Sequence, residues 1–557
     1  MALNFADLFE HAVDVFPDRL AVTCGDREVS YHELEERTNR LAHYLASIGV
    51  TEGDHVGLYS GNSVEALETL LACCKLRAVA ININYRYGDK ELAYLLADSD
   101  SVAVVYQRRL GPVVAAVAGT VPGLRPGGLV VIDDDPGSAA GTEPPEGTVA
   151  GPDGAVEYEA ALALGSPERQ FAPRSADDVY IIYTGGTTGN PKGVMWRHED
   201  IWRTLGGGID FYTREPLPDE WAQSEAGKNG ALVRLAAAPL IHGNAQVAVL
   251  QSLFAGETVV LLPRFDAHDV WRQVERRKIN VMVIIGDAMA RPLVDALKAG
   301  KPDGTPYDTS SVIVLNSSAA LFTPAVKDTV VDALPNALIL EAVGSTETGF
   351  AGLGTVTKGG GGSGPKVTNG RDVIVIDESG RPLGPGGVGL LARGGNVPLG
   401  YYKDPEKTAK LFAEVDGKRY TVPGDWARVE EDGSFTLLGR GNTCVNTGGE
   451  KVYPEEVEGA LKSHADVFDA LVLGVPDERL GQSVAAIVQP RPGAELDLDA
   501  LDTHVRGEIA GYKAPRSVWV VDEIGRTVSG KSDFKWAKSH TETVPPARGQ
   551  APASQPA

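Results

Sequence analysis

Short apolar segments alternate with amphipathic helical segments along most of the chain, and this alternation constrains the fold more than any other feature. Segments such as DHVGLYS, VAVVYQ and VMVIIG are separated by helical ones such as SVEALETLLACCKLRA. Strands that are apolar along their whole length need cover on both faces, and strand–helix–strand order favours parallel pairing. The sequence therefore predicts an α/β protein built on parallel sheets with flanking helices.

The character of the sequence changes near residue 365, after the glycine-rich stretch KGGGGSGP. Shorter β-rich pieces follow, among them RDVIVID, VGLLARG and SFTLLGRG. Residues 541–557 contain almost no large apolar side chains, so we expect a disordered tail there. A chain of 557 residues is long enough for more than one domain.

Charge and cysteine usage exclude several classes of protein. The formal net charge is −23, which gives no general attraction for nucleic acid. The four cysteines form no C-x-x-C pair, so we expect free thiols in a reducing cytoplasm. The N-terminus lacks the basic lead of a signal peptide, and no apolar run reaches the roughly 18 residues of a membrane span. We expect a cytoplasmic protein without integral membrane association.

Two stretches have the composition of a phosphate-binding loop. GRTVSGKS, residues 525–532, matches the pattern G-x-x-x-x-G-K-[ST] of P-loop proteins. A P-loop needs most of a parallel sheet downstream, and few residues follow Lys531, so we interpret this match as accidental.

The other stretch, YTGGTTGNPKGV, follows an apolar strand at residues 183–194. Pro191 stands where a P-loop has its second glycine, so this loop is of a different kind. Glycine amides, threonine hydroxyls and a lysine can still bind phosphate. The candidate residues are Thr184, Gly185, Gly186, Thr187, Thr188, Gly189 and Lys192.

The longer stretch YTGGTTGNPKGVMWRH resembles the signature of the adenylate-forming enzymes, which include acyl-CoA synthetases, luciferases and peptide-synthetase adenylation domains. Gly185 replaces the usual serine. Further stretches resemble family motifs in the same order, over nearly the whole chain: APLIHGNAQ, NSSAA, VGSTETGF, YTVPGDWA, LLGRGNTCVNTGGEKVYPEEVE and GYKAPRSVWVVDEIGRTVSGKS.

The resemblance implies a luciferase-like α/β fold with two domains. An N-terminal AMP-binding domain, residues 1–440, would contain two parallel-type sheets with flanking helices and a small β-barrel-like part. A small, mobile α+β domain would cover residues 441–540, and the disordered tail would cover residues 541–557. Asn442, where the family has an aspartate or lysine, would be the hinge between the two domains.

The resemblance also implies a nucleotide site. The glycine-rich loop would bind the β and γ phosphates, Thr346 the α-phosphate, and Glu347 a Mg²⁺ ion. Asp425 would accept from the ribose hydroxyls, and Arg440 would bind ribose or phosphate. The adenine would lie against Ser317, Ser318, Ala319, Val343, Gly344 and Ser345, with Val343 in place of the family's aromatic residue.

For the acid and the thiol, the resemblance implies an acyl pocket with His242, Gly286 and Gly344. Glycines leave room for a wide ring system, but they also serve close packing. Lys531 would be the catalytic lysine of the mobile domain. The residues facing coenzyme A would be Gly448, Gly449, Glu450 and Lys451.

The implied reaction joins a carboxylic acid to ATP with release of pyrophosphate, then transfers the acyl group to coenzyme A. The pattern most resembles bacterial fatty-acyl-CoA synthetases that activate steroid side-chain carboxylates. A medium- or long-chain fatty acid is the alternative substrate, and an aryl acid a weaker one. An amino acid is disfavoured, because IHGNAQVAVLQSLF has no acidic residue to pair with an ammonium group.

Two other classes stay open at this stage: a P-loop ATPase that uses residues 525–532, and a scaffold that kept the fold without the chemistry. The presence of Lys192, Glu347, Asp425, Arg440 and Lys531 together argues against the scaffold. The expected partners are small molecules only, namely the acid, ATP with Mg²⁺, and coenzyme A. The sequence leaves a monomer and a homodimer open.

Overall fold

The computed structural model describes most of the chain. The chain divides into two compact units. The described residues are 4–134, 154–184, 190–209, 215–360, 365–369, 372–441, 443–447, 450–477, 479–527 and 532–549. The first unit comprises Met1–Val283, Tyr307–Ile313 and Asn396–Leu411. The second unit comprises Ile284–Pro306, Val314–Gly395 and Phe412–Ala557.

The α-helices of the described residues alternate with strands in the first half of the chain. They are α1 Phe5–Val15, α2 Tyr31–Ser47, α3 Val64–Lys75, α4 Asp89–Asp98, α5 Gly111–Ala118, α6 Tyr158–Leu164, α7 His198–Thr204, α8 Ala222–Ala226, α9 Gly243–Phe254, α10 Ala267–Arg277, α11 Gly286–Ala299, α12 Pro324–Ala333, α13 Pro405–Leu411, α14 Pro454–Lys462, α15 Leu498–Glu508 and α16 Phe534–Thr543. Short 3₁₀ turns occur at Arg108–Leu110, Gly227–Asn229 and Gly511–Lys513.

The strands are short in the first half of the chain, and two long ones lie near its end. They are β1 Leu20–Cys24, β2 Arg27–Ser30, β3 His55–Tyr59, β4 Val79–Asn82, β5 Ser101–Gln107, β6 Leu129–Ile132, β7 Val156–Glu157, β8 Val179–Thr184, β9 Lys192–Arg197, β10 Val233–Ala236, β11 Thr258–Leu261, β12 Val281–Ile285, β13 Val314–Ser318, β14 Leu338–Ser345, β15 Gly349–Thr355, β16 Lys366–Asn369, β17 Val373–Ile376, β18 Val388–Arg393, β19 Gly400–Tyr401, β20 Phe412–Val415, β21 Lys418–Thr421, β22 Asp425–Val429, β23 Phe435–Arg440, β24 Val445–Thr447, β25 Glu450–Val452, β26 Val467–Asp477, β27 Gly481–Pro490 and β28 Ser517–Val520.

The first unit is built on two parallel arrangements of strands. One sheet has the order β4-β3-β5-β6-β7, and each of its pairings is parallel. In the other, β10 pairs in parallel with β11 and β12, β11 pairs in parallel with β1, and β2 adds an antiparallel edge. The antiparallel strands β8 and β9 join β19 in a small third sheet.

Strand β5 shows why the parallel sheet needs helices on both faces. Ala103 and Val105 pack into one apolar cluster, whereas Val104 and Tyr106 pack into another, and all four are fully buried. Alternate residues of a strand point to opposite faces, so an uninterrupted apolar strand fills two cores. The prediction of parallel sheets with flanking helices is confirmed. Helix α2 is capped at its N-terminus, because Ser30 Oγ accepts a hydrogen bond from Glu33 N over 3.1 Å.

The second unit starts with a parallel pair and continues as antiparallel sheet. Strands β13 and β14 are parallel, and β15, β16, β23, β22 and β18 continue from β14 in antiparallel order. Near the C-terminus β24, β25, β26 and β27 form an antiparallel sheet, to which β28 adds in parallel. This sheet is also covered on both faces, because Ala470 and Val472 enter one cluster and Leu471 and Leu473 another.

Two further predictions concern the C-terminal residues of the chain and the state of its cysteines. Residues 541–549 do not form the expected disordered tail, because α16 continues to Thr543 and Val518 N donates to Arg548 O over 2.8 Å, and residues 550–557 lie outside the described residues. All four cysteines are described and none of them forms a disulfide, as expected, although Cys444 is only partly buried. Among the described residues, no helix has both the length and the apolar character needed to cross a bilayer. The domain boundary near residue 440 stays a prediction.

A buried ion network stabilises the first unit. Lys75 is 1% exposed, and its Nζ lies 2.6 Å from Glu10 Oε1 and 2.9 Å from Glu35 Oε2. Arg174 Nη1 also donates to Glu10 Oε1 over 3.0 Å. Burial alone would raise the pKa of Glu10, but the charges of Lys75 and Arg174 outweigh it and lower that pKa. The network therefore depends on its cations being present.

The change Lys75→Met should destabilise the first unit by about 3–5 kcal/mol, because it leaves buried carboxylates without their partner. Urea unfolding would measure the loss. The matched control is Lys228→Met, which removes a lysine whose side chain is 52% exposed and pairs with Glu225. Surface pairs contribute little, so the control should leave the midpoint nearly unchanged. Equal losses in the two variants would contradict the role of the buried network.

Candidate active site

The two ends of the glycine-rich stretch belong to paired antiparallel strands of the first unit. Strands β8 and β9 are antiparallel, with Tyr183 opposite Gly193 and Thr184 opposite Lys192. We call β8, β9 and the residues between them the glycine-rich hairpin. Gly193 has a packing reason of its own, because a Cβ there would lie 2.8 Å from Cε2 of the Tyr183 ring. The hairpin therefore brings the predicted phosphate ligands Thr184 and Lys192 side by side, at the end of the two strands that adjoins residues 185–191.

Lys192 is paired with a carboxylate that the sequence analysis did not single out. Its Nζ lies 3.3 Å from Asp404 Oδ2, and the two side chains are 30% and 23% exposed. Partial burial acts to lower the pKa of Lys192, but the hydrogen bond to Asp404 and nearby negative charge outweigh it, so the pKa is raised. Lys192 is therefore a fully charged ammonium group near neutral pH, as a phosphate ligand must be.

His242 lies in a turn at the start of α9, which we call the His242 turn, residues 239–242. His242 is the N-cap residue of α9, its N donates to Pro239 O over 3.1 Å, and its O accepts from Gln246 N over 3.1 Å. Gln246 also donates from Nε2 to Leu240 O over 2.7 Å, and Asn62 Oδ1 accepts from Leu240 N over 2.7 Å. Buried amide side chains thus fix the backbone that carries the histidine.

In the second unit, the predicted ligands of the α-phosphate and Mg²⁺ occupy the tip of a hairpin. Strand β14 ends at Ser345 and β15 begins at Gly349, and these two residues are cross-strand partners. Thr346 and Glu347 lie in the connection between them. Thr348 Oγ1 accepts from Ser345 N over 2.9 Å, and Ser345 Oγ accepts from Thr348 N over 3.1 Å. These reciprocal bonds hold the tip in one conformation. Thr348 was not among the predicted site residues.

The donors at this tip suit the implied Mg²⁺ ion. Glu347 supplies a carboxylate and Thr346 a hydroxyl, and Mg²⁺ prefers such oxygen ligands together with substrate phosphates and water. In the part of the chain that is described, no cluster of three or more His, Cys, Asp or Glu side chains could hold a metal by itself. This donor set fits an ion that is bound mainly through the phosphates of a nucleotide.

The predicted ribose ligands lie on neighbouring strands. Asp425 is the first residue of β22, Arg440 is the last residue of β23, and the two are direct cross-strand partners. The backbone therefore places both positions at one end of this hairpin, as a shared ribose site requires.

Several residues that were predicted to contact the adenine or the acyl group also stabilise the fold itself. Ser317 is fully buried, and its Oγ accepts from Gly286 N over 3.1 Å. Val343 belongs to an apolar cluster between strands. A Cβ on Gly344 would lie 2.2 Å from Gly349 O, and one on Gly286 would lie 2.3 Å from Leu321 O. The small size of both glycines is thus needed for close backbone packing, and their part in an acyl pocket stays a prediction.

Two further adenine positions lie at the end of β13, where Ser318 is its last residue and Ala319 follows it. Ser318 is partly buried and Ala319 is exposed. Ala319 has a φ of 67°, in the left-handed region that residues with a Cβ rarely adopt. Such strain is often found at ligand sites, and it gives this turn a fixed shape.

The segment that contains Lys531 is anchored on both sides in the second unit. Arg526 and Ser532 form an antiparallel bridge, and Arg526 Nη1 donates to Ser532 Oγ over 3.0 Å. Arg526 Nη2 also lies 2.6 Å from Asp469 Oδ1, which lies 3.0 Å from the buried Lys462 Nζ. Burial alone would raise the pKa of Asp469, but Lys462 and Arg526 lower it to about 2. This ion cluster holds the base of the segment.

The helix after this segment does not have the features of a P-loop. Helix α16 begins at Phe534, and the side chain of Asp533 accepts hydrogen bonds from Lys535 N and Trp536 N. In a P-loop these first amides of the helix face a phosphate. Here a carboxylate already occupies them and would repel an anion, which supports the interpretation that GRTVSGKS matches the pattern by accident.

Several predicted residues lie outside the described residues: Gly185, Gly186, Thr187, Thr188, Gly189, Asn442, Gly448, Gly449 and Lys531. Arg440, Glu450 and Lys451 are described by their backbone positions, and Glu450 pairs with Thr447 between β25 and β24. Their assigned roles stay predictions. Asn82, Asp404 and Asp469 were missed, because each acts through a hydrogen bond or ion pair with a residue far away in the sequence. Thr348 was missed although its partner Ser345 is only three residues away.

The fold and the site agree with the family to which the chain belongs. A family model described as AMP-binding enzyme matches residues 9–402, and one described as AMP-binding enzyme C-terminal domain matches residues 456–531. The chain is a member of the AMP-binding enzyme family, which confirms the resemblance to adenylate-forming enzymes.

The similarity to individual proteins covers nearly the whole chain. The chain is 53% identical over 550 residues to a 3-oxocholest-4-en-26-oate–CoA ligase of Rhodococcus rhodochrous, with 98% of this chain and 97% of that protein covered. It is 50% identical over 549 residues to a medium/long-chain-fatty-acid–CoA/3-oxocholest-4-en-26-oate–CoA ligase of Mycobacterium tuberculosis, with the same coverage. The crystal structure of ATP-bound MatB from Rhodopseudomonas palustris matches with a TM-score of 0.77 at 27% identity, covering 96% of this chain and 99% of that one.

The change Thr348→Val should weaken binding of magnesium–ATP about tenfold, because it keeps the side-chain shape but removes the hydrogen bonds that hold the Thr346–Glu347 tip. Calorimetric titration would measure the affinity. Thr348→Ser restores the hydroxyl and should restore binding. The control Thr329→Val removes a comparable hydroxyl, which donates to Val326 O over 2.8 Å in α12. Unchanged affinity in Thr348→Val would contradict the role of this hydroxyl.

The change Asp469→Asn should cost about 2 kcal/mol of stability near neutral pH, which corresponds to the lowering of its pKa from 3.8 to about 2. A lowered carboxyl pKa gives stability that is fully present above the ordinary pKa and is lost as the pH falls toward the folded one. The difference between wild type and variant should therefore shrink between pH 4 and pH 2. Thermal unfolding across this range would measure it, and a pH-independent difference would contradict the ion cluster.

Proposed function

We propose that the protein is an ATP-dependent acid–CoA ligase that activates a bulky hydrophobic carboxylic acid. The acid would attack the α-phosphorus of ATP and release pyrophosphate, and the acyl-adenylate would then pass its acyl group to the thiol of coenzyme A with release of AMP. The observation that carries this proposal is the full-length similarity to CoA ligases, together with predicted phosphate, metal and ribose ligands at the ends of hairpins.

In the first step, two negatively charged groups must meet, so positioned cations and amides are the main requirement. Lys192 and Thr184 would bind the terminal phosphates, and Thr346 the α-phosphate. Mg²⁺ bound at Glu347 would neutralise charge on the phosphates. Lys531 would lie between the acid and the α-phosphate. No general base is required, because a carboxylic acid is already ionised near neutral pH.

In the second step, the thiol of coenzyme A replaces AMP on the acyl carbon. A thiol with an ordinary pKa near ~8.5 is partly ionised at cellular pH, so no cysteine of the protein is required. The C-terminal domain would rotate about Asn442, which removes Lys531 and brings Gly448, Gly449, Glu450 and Lys451 toward the thiol. The absence of disulfides among the four cysteines, all of which are described, supports action in the reducing cytoplasm.

A steroid side-chain acid is the proposed substrate. The relatives from Rhodococcus rhodochrous and Mycobacterium tuberculosis both carry 3-oxocholest-4-en-26-oate in their names. The name of the second relative also includes medium- and long-chain fatty acids, so these acids are the second candidate class. A pyrophosphate-release assay with 3-oxocholest-4-en-26-oate, fatty acids of graded length and an aryl acid would rank the classes. Absence of release with every acid would overturn the proposed function.

The change Lys531→Ala should slow acid-dependent pyrophosphate release by at least about 100-fold, because it removes a cation used in that step. Thioester formation from a supplied acyl-adenylate should stay within about threefold of wild type. The matched control is Lys538→Ala, which removes an exposed lysine of α16 and should leave both steps unchanged. Equal loss of the two steps in Lys531→Ala would contradict this division of roles.

A further inference from the structure

Asn82 is a buried side chain in the first unit that joins two segments distant in sequence. It is the last residue of β4 and is 6% exposed. Its Nδ2 donates to Tyr183 O over 3.0 Å and to Ile241 O over 2.6 Å, and its Oδ1 accepts from Tyr183 N over 2.8 Å. One carboxamide therefore contacts three backbone atoms of two different segments.

The two segments are the ones that carry predicted ligands. Tyr183 is next to Thr184, which pairs with Lys192 in the glycine-rich hairpin, and Ile241 is next to His242 in the His242 turn. Asn62 and Gln246 also hold the His242 turn, through Leu240. The hydrogen bonds of Asn62 do not extend to the hairpin. Gln246 Oε1 also accepts from the Tyr180 hydroxyl in β8, so Gln246 joins the same two segments, whereas Asn82 joins them at the residues next to Thr184 and His242.

The chemistry of the contact requires an amide. Two carbonyl oxygens need donors, and the Tyr183 amide needs an acceptor, so the side chain must offer both. An aspartate would place negative charge against two carbonyls, and an apolar residue would leave three backbone groups unsatisfied. Unsatisfied buried groups are costly, so the segments would move to find other partners.

We propose that Asn82 is a positioning residue that fixes the end of the glycine-rich hairpin that carries Thr184 and Lys192 relative to the His242 turn. The inference rests on the proposed function, in which the hairpin holds the terminal phosphates and His242 lies beside the acid. In-line attack requires the acid and the triphosphate at a set separation, and a small misplacement slows such a step strongly. Asn82 touches neither substrate and acts through the backbone on which the ligands stand.

The test compares Asn82→Ala with Asn280→Ala in the full chain. Asn280 is a matched control, because it also joins two backbone segments of the first unit, accepting from Val233 N over 2.9 Å and donating to Ser311 O over 3.3 Å. Both variants lose a bridging amide, but Asn280 lies outside the candidate site. The assays use 3-oxocholest-4-en-26-oate with magnesium–ATP, and separately its acyl-adenylate with coenzyme A. If Asn82→Ala does not fold, Asn82→Ser is compared instead, since serine keeps one donor and one acceptor.

In Asn82→Ala we expect kcat for pyrophosphate release to fall by about 10- to 100-fold, with a rise in KM for both the acid and ATP. Thioester formation from the supplied adenylate should stay within about threefold, because that step needs no triphosphate. Asn280→Ala should lose thermal stability with little change in kcat. Unchanged kcat in Asn82→Ala, or equal loss of both steps, would overturn the inference. Failure of the wild type itself to release pyrophosphate would overturn the proposed function, and this inference with it.

Discussion

Irregular backbone at the ends of buried strands needs hydrogen-bond partners, and buried polar side chains supply them at the segments of the candidate site. Asn82 satisfies the backbone at Tyr183 and Ile241, and Thr348 satisfies Ser345 N. A buried polar group has few favourable arrangements, so each contact limits its segment to one shape. The sheets provide a rigid frame, but these side chains decide where the ligand-bearing residues stand within each unit.

Much of the fold could be predicted from the sequence, because apolar patterning and burial are directly linked. Strand β5 is apolar along its length and is buried on both faces. The family resemblance also singled out Thr346, Glu347, Asp425 and Arg440, which the structure places at or between strand ends, while their ligand roles stay predictions. These residues lie where strands end, and strand ends follow from the same local pattern.

The rest of the site could not be predicted, because its contacts join residues far apart in the chain. Asn82 lies 101 residues from Tyr183 and 159 from Ile241, so no local pattern indicates the link. Small residues are ambiguous for a different reason. A glycine can make room for a ligand or for backbone, and the carbonyl that lies 2.2 Å from a Cβ built on Gly344 is visible only in the folded chain.

The ion pair between Lys192 and Asp404 has a consequence for the order of events at the hairpin. A ligand that binds through this ammonium group competes with the carboxylate for its charge, and it competes better the more negative charge it carries. If Lys192 binds the terminal phosphates, a triphosphate would displace Asp404 more readily than a monophosphate. The ion pair between Asp404 and Lys192 would then form again once pyrophosphate has left. Competition from Asp404 would thus favour ATP over AMP at this position without any contact to the base or the sugar.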